Sequence, residues 1–190
     1  MSNSLYELKK EDWNRLFPIH LENHNPQWSV IFQKERELIL SKIEHFKPIL
    51  IEHVGSTSIP GIKAKPYIDI LIVIEEELLF NEELTAVLAT LGYTYFLVPK
   101  RDEIEAYMSF GKGYNLEGKS EQIFHIHMCS ENNVTVKQRE FRDFLKANPE
   151  QAKAYEKLKI ASAEKFKNDR GGYVLSKNEF VQQVLELIGN

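Results

Sequence analysis

Two stretches of this chain carry residue types that do chemistry at useful spacing. In the first, His53-Val54-Gly55-Ser56-Thr57-Ser58, a short apolar run ends in small and hydroxyl residues. Small residues let backbone N–H groups approach an anion, and hydroxyls and lysines add donors. Gly55, Ser56, Thr57, Lys63 and Lys65 therefore read as a phosphate-binding turn, and Asp69 follows as a lone carboxylate inside the apolar run Tyr67 to Ile74. In the second stretch His125 and His127 stand two apart in an alternating run, so a strand puts both on one face, opposite Phe124, Ile126 and Met128. A shared face allows joint metal ligation by Asp69, His125 and His127, with His53 as a further donor. The plainer alternative is a tight strand-end turn beside a polar sheet face whose acid and histidines bond to their neighbours.

The elements that must position these groups follow from periodicity and punctuation. Asn25-Pro26 starts a helix whose apolar stripe includes Trp28, Phe32, Ile39, Ile43 and Phe46, and Pro48 ends it. Glu35 lies on that stripe, one turn from Phe32 and Ile39, and is expected to hydrogen-bond within the core. Strands are predicted over 49–54, 67–74, 93–98, 105–110 and 122–129, with a helix over 82–91 ended by Gly92. Three helices should close the chain, two of them opened by capping boxes at Thr135 with Gln138 and at Ser176 with Glu179, the other by Asn148-Pro149. The fold class is thus α/β (α+β): a mixed β-sheet flanked by helices, with carboxy-terminal helices, in one domain spanning 1–190. On those last helices Arg139, Arg142 and Lys146 share a face, as do Tyr155 and Lys159, a basic surface able to close over a nucleotide or an ordinary solvated one.

The signature His53 to Gly61, continued by Ala64-Lys65-Pro66-Tyr67-Ile68-Asp69-Ile70, resembles the GrpB-like family. The resemblance extends to Asn25-Pro26-Gln27-Trp28, His125-Ile126-His127, Phe141-Arg142-Asp143-Phe144-Leu145, Asn148-Pro149 and Tyr155 with Lys159. It implies a nucleotidyltransferase-like fold, related to domains fused to dephospho-CoA kinases. In such folds a Gly-Ser turn binds phosphates and the next strand supplies carboxylates for divalent ions. Asp69 matches the first carboxylate position, and Leu71 stands where a second acid is expected. The resemblance thus implies Asp69 as catalytic residue and ligand, with His125 and His127, of Mg or Mn. Gly55, Ser56, Thr57, Lys65, Arg142 and Lys159 would bind the phosphates.

Composition bounds these readings. A net charge of −4 with both signs interspersed argues against a broad duplex-binding surface, and nucleic acid is not an expected partner. The single cysteine, Cys129, excludes an intrachain disulfide and fits a reducing cytoplasm. No signal core or membrane-spanning run is present, so no membrane partner is expected. Gly113 to Ser120 satisfies the formal P-loop pattern, but a strand follows it where a helix is required, so a hairpin loop is expected. Three functions compete: a metal-dependent nucleotidyltransferase acting on a small molecule, a non-catalytic module for a nucleotide or CoA-like ligand, and an interaction domain. The oligomeric state is left open by the sequence.

Overall fold

A branched apolar strand flanked by strands on both sides can be buried on one face and still offer polar groups on the other, and the sheet is laid out around such a strand. The computed structural model describes residues 4–102, 104–117 and 119–189. Its strands are β1 (Leu50–Val54), β2 (Tyr67–Val73), β3 (Thr94–Val98), β4 (Tyr107–Lys112) and β5 (Ile123–Cys129), in the order β1-β2-β5-β4-β3. Only β2 and β5 run parallel; the other pairs are antiparallel, so the sheet is mixed, as expected. The helices are α1 (Lys10–Leu16), α2 (Gln27–Ile43), α3 (Glu82–Ala89), α4 (Lys137–Ala147), α5 (Pro149–Lys165), α6 (Arg170–Leu175) and α7 (Asn178–Gly189).

One sheet face is the main core. Ile68, Ile70 and Ile72 of β2, Phe124, Ile126 and Met128 of β5, and Met108 and Phe110 of β4 pack against Trp28, Phe32, Ile39 and Ile43 of α2 and Leu84 and Leu88 of α3. Glu35 projects into this layer and accepts hydrogen bonds from the Tyr93 hydroxyl at 2.9 Å and the Lys112 ammonium at 2.7 Å, as a buried acid requires. The opposite face carries Asp69, His125 and His127 and lies under the carboxy-terminal helices. Those helices pack through Phe141, Leu145, Ala152, Tyr155 and Phe180 onto Ile59 and Ile62, in the loop that follows β1.

Helix starts depart from the sequence reading in two places. Asn133, not Thr135, caps the chain ahead of α4, its side chain accepting from the Thr135 N–H through an intervening 3-10 turn. Ser176 ends α6 instead of opening α7, and its hydroxyl donates back to the Tyr173 carbonyl. Short polar side chains bond locally on either side of a helix boundary, so the residue pattern alone does not say which end it marks. The segment 113–120 joins the antiparallel β4 and β5, as a hairpin loop should; Gly118 within it lies outside the described residues.

Breaking the Glu35 pair leaves a carboxylate in the core with only a phenol for a partner. Lys112→Met is expected to lower stability by about 2–3 kcal/mol, read as the midpoint of urea unfolding at pH 7. An unchanged midpoint would mean that the ion pair contributes nothing net.

Candidate functional site

The in-register parallel pairing of Asp69 with His125 and of Leu71 with His127 fixes the centre of the site. Residues two apart on a strand share a face, so the carboxylate and both imidazoles meet as expected. Asp69 Oδ1 lies 3.4 Å from His125 Nδ1 and 3.8 Å from His127 Nε2. All three side chains retain about a quarter of their surface, 26%, 27% and 22%, so they remain reachable although closely surrounded. Burial raises the carboxyl, but the hydrogen bonds from His125 and His127 outweigh it and hold Asp69 far below the usual carboxylate range. Burial also pushes His125 down, against the pull of Asp69. A neutral His125 then donates from Nδ1 toward Asp69 and accepts at Nε2 from the Tyr114 hydroxyl. Nδ1 of His127 is buried without a partner among the described residues.

The turn after β1 presses on this carboxylate. Gly55 sits at φ +68°, and a Cβ there would fall 2.2 Å from Asp69 Oδ2. Glycine is therefore needed twice, for the left-handed backbone and for the close approach. The turn's hydroxyls are less free than the sequence reading assigns them. Thr57 is buried, donates to the Tyr67 carbonyl at 2.8 Å and meets His53 Nε2 at 3.0 Å. Since that hydroxyl proton is already committed, His53 must donate from Nε2, and burial pushes its pKa down to about 4, consistent with a neutral ring. Ser58 donates to the Gly55 carbonyl at 2.6 Å. Ser56 remains half-buried and bonds with the Tyr155 phenol, which burial pushes up to about 12 against that bond. His53 cannot join the other histidines, because it points to the core face and stacks on Phe32 with ring centroids 4.8 Å apart.

Two basic residues named from the sequence diverge. Arg142 is a strut: its guanidinium pairs with Glu52 at 2.7 Å and Asp143 at 2.8 Å and donates to the His53 carbonyl at 2.7 Å. Lys159 is 1% exposed, donates to the Lys63 carbonyl and lies 4.9 Å from the Tyr155 ring centroid. Lys65 sits 4.5 Å from the Tyr67 centroid and 5.6 Å from that of Tyr173, and Lys177 covers Tyr173 at 4.5 Å. Arg170 donates to the Phe17 carbonyl and stands 3.4 Å from the Tyr67 hydroxyl. Among the described residues, none of Lys65, Lys159, Arg170 and Lys177 forms an ion pair with a carboxylate. Burial, then repulsion by Arg170 and Lys177, lowers Lys65 to about 7 against the pull of Asp69. Burial, then Lys177, lowers Lys159 to about 7.

Lys177, Arg170 and Tyr114 escape the sequence reading. The one local signal is the Gly171-Gly172 pair inside α6, unfavourable in a helix, where a Cβ on Gly172 would fall 2.5 Å from the Phe166 ring. Tyr114 lies in the formal P-loop pattern, a loop whose role here is to fold an aromatic ring back onto His125.

The donors do not by themselves make a metal centre. Among the described residues no group of three or more His, Cys, Asp or Glu is placed to hold an ion. Among the described residues Asp69 is the one carboxylate within 4 Å of either imidazole, His125 is engaged at both nitrogens, and Mg or Mn prefers an oxygen-rich shell. A recess of about 520 Å³ over the Gly113–Glu121 loop contains none of the three groups, whereas one of about 210 Å³ reaches His125. No helix among the described residues is long and apolar enough to cross a membrane.

Comparison with known proteins follows the same residues. The profile of a family described as GrpB protein matches residues 18–187. The chain is 36% identical over 171 residues to the glutamate-rich protein GrpB of Alkalihalophilus pseudofirmus, covering 87% of this chain and 92% of that one. It is 34% identical over 167 residues to the UPF0157 protein YqkA of Bacillus subtilis, covering 86% of this chain but 45% of that longer protein. The crystal structure of the conserved protein GrpB from Enterococcus faecalis superposes with a TM-score of 0.71 at 25% identity, over 87% of this chain and 94% of that one.

The contact between Gly55 and Asp69 makes a direct test of how the site is held. Gly55→Ala is expected to lower stability by about 1–3 kcal/mol and to displace the carboxylate, seen by NMR titration as a further fall in the His125 pKa, because Asp69 is the group that pulls it up against burial. Wild-type stability and an unmoved His125 titration would show that the close approach places no constraint.

Proposed function

The chain belongs to the GrpB protein family, and from that premise we propose that it binds a phosphorylated small molecule on the Asp69 face of its sheet, between the Gly55 turn and the carboxy-terminal helices. The observation that supports this reading is the set of four basic residues, Lys65, Lys159, Arg170 and Lys177, gathered with no carboxylate ion-paired to any of them among the described residues. Asp69 and Glu156 offset these like charges only in part, a desolvated cluster of that kind is unfavourable, and a phosphate-bearing ligand relieves the remainder with charge-assisted hydrogen bonds. Aromatic rings of Tyr67, Tyr155 and Tyr173 hold the ammonium groups in the meantime. A binding site built on lysines near neutrality also gives the ligand a pH-dependent grip.

Nucleotidyl transfer to a small acceptor is the second reading, favoured by the ionised Asp69 beside two imidazoles. In it the cations hold the transferred group and the departing phosphate, and the partly exposed His127 ring would have to turn its buried Nδ1 outward to take the acceptor's proton. Mg or Mn carried in by the phosphates would take Asp69 as its protein carboxylate and neutralise charge on the ligand.

Calorimetric titration with inorganic tripolyphosphate tests the anion site. Affinity is expected to fall at least roughly fivefold between pH 6 and 8.5, because Lys65 and Lys159 lose charge as the pH passes about 7. Lys65→Met should weaken this binding roughly tenfold or more and yet raise the melting temperature of the free protein by a few degrees. The sign follows from linkage: between about pH 7 and the ordinary lysine value of 10.5 the unfolded chain binds more protons, so the free protein gains stability as pH rises through that window. Tripolyphosphate that does not bind, or a Lys65→Met protein that is both less stable and unchanged in affinity, would overturn the reading. For the catalytic alternative, Asp69→Asn should abolish any effect of Mg or Mn on binding or turnover while the fold persists; an undiminished effect rules that role out.

A further inference from the structure

The recess of about 210 Å³ beside His125 belongs to neither the sequence motif nor the cation cluster. Its walls include Trp13, Phe96, Ser109, Gly111, Tyr114 and His125. Ser109 and Gly111 of β4 face the same way as His127 and His125, their partners across the sheet, so the floor continues the Asp69 face. Phe96 pairs with Ser109 and extends it toward the β3 edge. Gly111 has a local reason: a Cβ there would fall 2.8 Å from the Tyr114 ring, so only glycine lets that ring lie along the strand. Gly113, at φ +84°, turns the chain so that Tyr114 can return to His125. Trp13 from α1 meets Tyr114 nearly edge-on, with centroids 5.2 Å apart and planes at 82°, and closes the other side.

We infer that this recess seats a planar heteroaromatic ring, and that the ligand of the site is a phosphorylated compound carrying such a ring, of the nucleotide class. The inference rests on the anion-site reading for the position of the phosphates and adds what lies at the other end of the ligand. Three observations point to a ring and not to an aliphatic chain. Four of these six residues, Trp13, Phe96, Tyr114 and His125, are aromatic, and ring faces and edges prefer π partners. The hydroxyl of Ser109 takes no partner among the described residues, which leaves a hydrogen-bonding group for a ring edge. The volume is below the roughly 300–1,000 Å³ of whole-ligand pockets, so a fragment of the ligand enters and the remainder lies outside.

The neighbouring cations set the direction of that remainder. Arg170 lies 5.9 Å from the Trp13 centroid and 3.4 Å from the Tyr67 hydroxyl, and thus spans the recess and the lysine cluster. Tyr67 in turn meets both Tyr114 and His125 edge-on, at 6.4 and 5.6 Å. A ring stacked on one of Trp13 and Tyr114 meets the other edge-on, since their planes stand at 82°, and has Arg170, with Lys65 beyond it, on the side open to its substituent.

The experiment compares tripolyphosphate with the four ribonucleoside triphosphates by calorimetric titration of the full chain. At least one nucleotide is expected to bind roughly 5- to 150-fold more tightly than tripolyphosphate, the increment of one stacked base. Ser109→Leu, which fills the recess, should remove that increment and leave tripolyphosphate within about twofold of wild type; Phe96→Ala should do the same by removing a wall that touches none of the four cations, and serves if Ser109→Leu does not fold. Nucleotides no tighter than tripolyphosphate, or an increment that survives both variants, would overturn the inference. If tripolyphosphate does not bind, the anion reading fails by itself, and the recess is judged by nucleosides without phosphate. They should then quench Trp13 fluorescence in wild type but not in Trp13→Phe, and no quenching rejects the ring site as well.

Discussion

The parallel pairing of β2 with β5 is the constraint on which the polar side of the molecule depends. A strand period of two means that one register places Asp69 with His125 and His127 on one face and Ile68, Ile70 and Ile72 with Phe124 and Ile126 on the other. A slip of one residue on β5 would put the histidines into the α2 core and its aromatic and aliphatic residues into the site. The burial of the apolar face thus selects the register, and the register assembles the site as a by-product. Folding energy and functional geometry are set here by the same pairing.

The carboxy-terminal helices have a second role beyond covering apolar surface. Ile59 and Ile62, in the loop leaving the Gly55 turn, are the anchor for Leu145, Ala152 and Tyr155. Docking there brings Lys159 and the Tyr173–Lys177 segment over the sheet while Arg142 braces β1 through Glu52. The division of labour among the basic residues is physical. Arg142 meets acids and a carbonyl and is satisfied in place, whereas the lysines meet aromatic faces, which attract a cation without neutralising it.

Much of this was legible beforehand, for identifiable reasons. Strand alternation placed β1, β2 and β5, and the period of two put Asp69 with His125 and His127. The apolar stripe of α2 exposed Glu35 as an acid needing a partner in the core. Roles that depend on tertiary contact were not legible. Thr57 and Arg142 have the chemistry of ligand-binding groups, but His53, Tyr67, Glu52 and Asp143 occupy them. His53 was misplaced because the last residues of β1 alternate faces and the sequence does not say which face continues into the site. Lys177 and Arg170 are ordinary surface residue types, and only long-range packing carries them over Asp69. α1 is seven residues long, too short for a periodic signal, although it supplies Trp13.

The contact between Gly55 and Asp69 also ties the two positions together unequally. A side chain at position 55 collides with both the carboxylate and the Cβ of residue 69 and meets an unfavourable backbone as well, so shortening residue 69 does not by itself admit one. The reverse step carries no such condition, since shortening residue 69 leaves Gly55 unstrained. The acid can therefore be given up while the glycine stays, so a retained Gly55 reports the shape of the turn and says nothing of whether residue 69 still bears a charge.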